Sequence, residues 1–143
     1  MPQRPILVVE DCDEDFQTVQ DAARRTALTH PIVRASSGAE CLRLLRGVPR
    51  SPALLVLLDL NTPGDDGREC LREIRSDDTL MTLPLVVLSA SAKPRDLQFC
   101  YANGANAYHV KPVEHALHLQ ILQTILSYWL GSVALPHAPT KAR

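Results

Sequence analysis

Apolar positions gather along the chain in short runs: Ile6–Val9, Ile32–Ala35, Leu54–Leu58, Leu85–Leu88 and Ala107–Val110. Pro5, Pro31, Pro52 and Pro84 stand just ahead of the first four, where a missing N–H does least harm to a sheet. The first, third and fourth runs are apolar without alternation, which predicts strands covered on both faces, as in a parallel sheet. Helical periodicity fills the gaps. Asp13 to Thr26 places Phe16, Val19, Ala23 and Ala27 on one face, with acidic residues in the first turn and Arg24 and Arg25 in the last, as the helix dipole favours. Gly38 to Arg46 carries Cys41, Leu42, Leu44 and Leu45 and ends at Gly47; Gly67 to Arg75 carries Cys70, Leu71 and Ile74. Pro94 suits the first turn of a helix that closes at Asn103-Gly104, and Val113 to Leu130 is the longest helical segment.

Strands that alternate with helices pair in parallel through right-handed crossovers. The expected fold is therefore α/β: a flavodoxin-like, doubly wound, five-stranded parallel sheet in the order 2-1-3-4-5, with five helices. In that order strands 1 and 3 are neighbours at the switch point, and ligands bind beyond the carboxyl ends of such strands.

Composition narrows the class without changing the fold. A length of 143 residues suits one domain, and 45% hydrophobic with 22% charged residues is the balance of a globular protein. The net charge of −1 gives no general reason to expect nucleic acid or an anionic membrane as partner. The longest apolar run, Ala53 to Leu58, is far too short to cross a bilayer, and no secretory pattern opens the chain. The expectation is a cytoplasmic protein. Cys12, Cys41, Cys70 and Cys100 form no zinc-type pair and are expected to be small apolar residues facing the core.

The strand ends carry the chemistry. Strand 1 ends in Glu10-Asp11, strand 3 in Asp59, strand 4 in Ser89 and strand 5 in Lys111-Pro112. With strands 1 and 3 adjacent, three carboxylates would share one crevice. Their repulsion is relieved by a divalent cation, and Mg²⁺ favours a few carboxylates, a carbonyl and several waters.

The motifs Ile-Leu-Val-Val-Glu10-Asp11, Leu-Asp59-Leu-Asn61-Thr-Pro63-Gly, Val-Leu-Ser89-Ala90 and Tyr108-His-Val-Lys111-Pro112 resemble, in order and separation, those of receiver domains of two-component response regulators. The resemblance spans about Pro5 to Leu130. It implies that Asp59 is the phosphoacceptor and that Glu10, Asp11, Asp59 and the main-chain carbonyl of Asn61 hold Mg²⁺. It further implies that Ser89 bonds a phosphoryl oxygen, that Lys111 pairs with the phosphoryl group, and that a cis peptide bond precedes Pro112. Ser89 and Tyr108 stand at the family's switch positions. Such a protein catalyses its own phosphorylation and slow dephosphorylation and is otherwise no enzyme. An aspartate can attack a phosphoryl group to form an acyl phosphate, with cations stabilising the transferring charge. Three departures stand out: Glu10 is longer than Asp, Ser89 replaces the more familiar Thr, and Asp65-Asp66 adds carboxylates after Asp59.

Other readings fit less well. Acidic residues before a helix are usually caps and dipole partners, and Asp13, Glu14 and Asp15 are read that way. An EF-hand would need Gly where Phe16 stands and Glu where Ala22 stands. Neither phosphate-binding glycine motif occurs. A haloacid-dehalogenase-type phosphatase would place its nucleophile on the first strand. A phosphorylation-independent interaction module usually has a damaged acidic site, and a phosphate shuttle to a histidine phosphotransfer protein stays an alternative.

The terminal helix has two apolar stripes. Val113, Leu117, Ile121, Ile125 and Tyr128 form one; Leu119, Leu122, Leu126, Trp129 and Leu130 form the other. A sheet needs one, so the second is expected to face a second copy of the chain in a homodimer. A receiver domain over 1–130 and a C-terminal extension over 131–143, too short for an output domain, complete the expected organisation. The ending Tyr128-Trp129-Leu130 with Val133-x-Leu135-Pro136 resembles that of single-domain regulators paired with phytochromes. It implies a sensor histidine kinase, of bacterial phytochrome type, as partner.

Overall fold

A computed structural model describes residues 3–47, 53–60 and 66–136, except for the side chain of Asp66. Strands β1 (Ile6–Val9), β2 (Ile32–Ala35), β3 (Leu55–Asp59), β4 (Leu85–Ser89) and β5 (Ala107–Val110) alternate with helices α1 (Asp13–Arg25), α2 (Gly38–Leu45), α3 (Asp66–Ser76), α4 (Pro94–Ala102) and α5 (His115–Ser127). A π-helical turn, Tyr128–Ser132, follows. The strands form one parallel sheet in the order β2-β1-β3-β4-β5, as expected from the alternation.

The unbroken apolar strands sort their side chains by the pleat. Leu7, Val9, Val56, Leu58, Leu85 and Val87 face the layer of α2, α3 and α4, where Cys41, Cys70 and Cys100 are also buried. Ile6, Val8, Leu55, Leu57, Val86 and Leu88 face α1 and α5. Cys12 departs from the core reading: it is the exposed N-cap of α1, outside any periodic element.

Helix α5 reverses the expected orientation. Leu122 and Leu126 have no exposed area, Leu119 is 8% exposed, and Trp129 and Leu130 pack partly buried against the same layer. The stripe nominated for a dimer is therefore mostly the molecule's own core. Exposed instead are Val113, Leu117 and Tyr128. Ile125 is the member of the other stripe that stays fully inside. The helix is apolar around most of its circumference, so periodicity alone does not choose its buried face. Contact with Val19, Ala22 and Ala23 of α1 and with the sheet makes that choice.

Helix ends follow local chemistry. Ser37 caps α2 by accepting the Glu40 N–H at 3.1 Å, while Glu40 returns to the Ser36 N–H at 2.7 Å. At the end of α4, the Ala105 N–H donates to the Cys100 carbonyl and Gly104 takes φ +97°, a left-handed closure that favours glycine.

Candidate functional site

Strand register brings the site together. Val9 pairs with Leu58, so Glu10, one residue on, lies beside Asp59, and Ser89 pairs with Val110 just before Lys111. The Lys111 N–H donates to the Ser89 carbonyl at 2.7 Å, which joins the ends of β4 and β5.

Glu10, Asp15 and Asp59 each offer a carboxylate oxygen within 4.8 Å of the others. Lys111 reaches into the group: its Nζ lies 2.8 Å from Asp15 and 3.6 Å from Glu10, and it also donates to Asp59. Glu10 and Ser89 are buried. Asp11, expected among the metal ligands, is exposed and lies outside this group. Asp15, read from sequence as a dipole partner, is the third member of the cluster. The one sequence signal for it, masked by the dipole reading, is that with Thr18, Val19 and Ala22 it follows the helical spacing of the buried face of α1. Asn61, Pro63 and Asp65 lie outside the described residues.

The electrostatics are those of crowded, buried acids. Burial, then a hydrogen bond and repulsion from Asp59, push the Glu10 carboxyl up to about 9, against the attraction of Lys111 and the Cys12 N–H. This crowding favours the neutral form of Glu10 when no cation is bound. Burial pulls Lys111 down, but its hydrogen bonds to Asp15 and Asp59 and the nearby Asp59 and Glu10 carboxyls outweigh this and raise it above the usual lysine value. It stays an ammonium. Three carboxyl oxygens this close form an oxygen donor set for a hard divalent cation, which would offset the repulsion among them.

His118 is a neighbour that the sequence reading missed. It is buried on α5 and lines, with Glu10, Asp59, Val19 and Leu88, a small cavity behind the carboxylates. Burial, and then the charge of Lys111, push its imidazole below the usual value. Its spacing one turn before Leu122 was the available signal.

Ser89 connects the crevice to the α4–β5 face. Its Oγ accepts the Ser91 N–H at 3.1 Å, and the Ser91 carbonyl accepts the Tyr108 hydroxyl at 2.8 Å. Ser91 Oγ donates to Asp96 at 2.5 Å, and Asp96 pairs with Arg68 of α3 at 2.7 Å. Tyr108 is thus packed inward with its hydroxyl held. Pro112, after Lys111, is half-buried.

Comparison with known proteins agrees with this geometry. The response regulator receiver domain family matches residues 6–123. The response regulator Rcp1 of Synechocystis sp. is 34% identical over 96% of each chain. The phosphorylated cyanobacterial phytochrome response regulator RcpA superposes with a TM-score of 0.87 at 37% identity, over 94% of this chain and 99% of that one. The Mn²⁺-bound form of Rcp1 does so with a TM-score of 0.87 at 33% identity, over 94% and 99%. With its acidic crevice, its β2-β1-β3-β4-β5 sheet and these relatives, the chain belongs to the response regulator receiver domain family.

Proposed function

We propose that this protein is a single-domain response regulator that receives a phosphoryl group from a sensor histidine kinase of phytochrome type onto Asp59 and signals through protein contacts. The observation that carries the reading is the gathering of Asp59, Glu10 and Asp15 around the Lys111 ammonium at the carboxyl edge of the sheet. Its kinship with Rcp1 and RcpA supports the choice of kinase.

The carboxylate oxygen of Asp59 forms a bond to phosphorus as the P–N bond of the kinase phosphohistidine breaks, and the imidazole leaves with its electron pair and takes up a proton. Lys111, already in contact with Asp59, pairs with the incoming oxygens. The Ser89 hydroxyl bonds one of them and, in moving, gives up the Ser91 N–H. The Ser91–Tyr108 and Ser91–Asp96 bonds pass that change to β5 and α4. Mg²⁺, held by Glu10, Asp15 and Asp59 with Asp11 and the Asn61 carbonyl as further donors, would supply positive charge to the transferring group. The acyl phosphate then adds roughly −1.5 to −2 charge to the crevice.

The receiver would span 1–130 with 131–143 as an extension. A second copy of the chain is the partner proposed for the outer side of α5 and its flanks, where Val113, Leu117 and Tyr128 stand exposed. Transfer of labelled phosphate from a phosphorylated phytochrome-type histidine kinase tests the main reading. Wild type should become labelled and Asp59→Asn should not; equal labelling of both would remove Asp59 from the role.

A further inference from the structure

Arg34 supplies no ligand to the acidic crevice, yet it holds the segment that shapes one wall of it. It stands on the edge strand β2 opposite Val8 of β1. Its Nε donates to the Glu10 carbonyl at 2.9 Å and its Nη1 to Asp13 Oδ1 at 2.8 Å. The guanidinium also lies over the Phe16 ring, 5.0 Å from its centroid. Contacts at 10, 13 and 16 bracket the loop from β1 and the first turn of α1, the stretch that carries Asp11 and Asp15.

That stretch needs an external hold. Beyond Glu10, four of its five positions from 11 to 15 are acidic, and like charges so close drive it apart. The N-cap Cys12 provides no side-chain capping bond, and the Asp13 side chain is 92% exposed. Lys111 opposes the repulsion from inside the crevice, through Asp15 and Glu10; Arg34 opposes it from outside. We infer that Arg34 is a positioning residue for divalent-cation binding: by fixing the β1–α1 loop it keeps the Glu10 and Asp15 carboxylates in place before a cation arrives. The inference rests on the phosphoacceptor reading and extends it to a residue that touches neither cation nor phosphoryl group.

The planar guanidinium is essential to the argument. It reaches a carbonyl and a carboxylate at once while lying flat on an aromatic ring; a lysine ammonium is a point charge that cannot do all three. Supporting partners of this kind typically change metal affinity by about tenfold or more when removed.

The test measures Mg²⁺ binding by isothermal titration calorimetry on the full chain as wild type, Arg34→Met and Arg34→Lys, with circular dichroism to establish the fold of each. Phosphoryl uptake from acetyl phosphate is followed against Mg²⁺ concentration in parallel. The dissociation constant of Mg²⁺ should rise about tenfold in Arg34→Met and nearly as much in Arg34→Lys. Uptake at saturating Mg²⁺ should stay close to wild type, so that the Mg²⁺ dependence shifts and the limiting rate does not. If Arg34→Met loses its fold, the milder Arg34→Lys carries the comparison. Unchanged Mg²⁺ affinity in a folded variant, or full rescue by lysine, would overturn the inference. Wild type that neither binds Mg²⁺ nor takes up phosphoryl would overturn the phosphoacceptor reading beneath it.

Discussion

Single residues decide where the acids of the crevice stand. Glu10, Asp59, Ser89 and Lys111 were legible because each ends an apolar strand, and a parallel sheet must bring those ends to one edge. Asp15 was hidden by a competing explanation: an acid in the first turn of a helix is adequately explained by the dipole. What separates it from Asp13 is the turn of the helix, which aims it at Lys111 while Asp13 goes out to Arg34. Gly104 is a second case in which one position carries two demands. A Cβ there would meet Arg75 Cγ, Cδ and Nε at 2.7–2.8 Å, on a backbone with φ +97°. Arg75 is committed by hydrogen bonds to the carbonyls of Gly104, Met81 and Leu83 and to Asn106. Gly104→Ala should therefore lower stability by at least about 1 kcal/mol, measured by urea denaturation; a neutral substitution would show that this turn relaxes freely.

At the scale of elements, strands were easier to read than the last helix. Apolar strands flanked by prolines leave little choice of role, whereas α5 could have turned either stripe inward. Packing chose the stripe of Leu119, Leu122 and Leu126, a decision made by α1 and the sheet and absent from the sequence of α5 itself. Leu122→Ala should cost about 2–5 kcal/mol, against within about 0.5 kcal/mol for the exposed Leu117→Ala, in the same denaturation assay. The opposite ranking would restore the sequence-based orientation. A polar tie joins α2 to α3: Arg46, at the end of α2, pairs with Glu73 and with Asp77 just past α3. Hydrogen bonds from the Thr79 hydroxyl and N–H, then from Arg46, hold Asp77 below the usual carboxylate value. A lowered carboxylate adds stability above its unfolded value and loses it as pH falls through the folded one. Wild type should thus exceed Asp77→Asn in thermal stability at neutral pH, with the gap closing below about pH 4. A gap independent of pH would contradict this assignment.

The whole molecule is a sheet that converts spacing along the chain into proximity at one edge. Glu10, Asp59 and Lys111 are far apart in sequence and adjacent in space. From that edge, Ser91 links Ser89 to Tyr108 and to the Asp96–Arg68 pair, so that a change in the crevice has a bonded route to α3, α4 and β5. Leu117 of α5 stands exposed, with Val113 just before the helix and Tyr128 just after it. If a second copy binds there, Leu117→Glu should leave only monomer in light scattering at concentrations where wild type is dimeric; a dimer unaffected by that substitution would place self-association elsewhere.

The proposed function turns on Asp59 accepting a phosphoryl group with the help of a divalent cation. Intact-mass analysis after incubation with acetyl phosphate, with and without Mg²⁺, on wild type and Asp59→Asn, tests it most directly. Wild type should carry one phosphoryl adduct, dependent on Mg²⁺ and absent from Asp59→Asn. An adduct that persists in Asp59→Asn, or none in folded wild type with Mg²⁺ present, would contradict it.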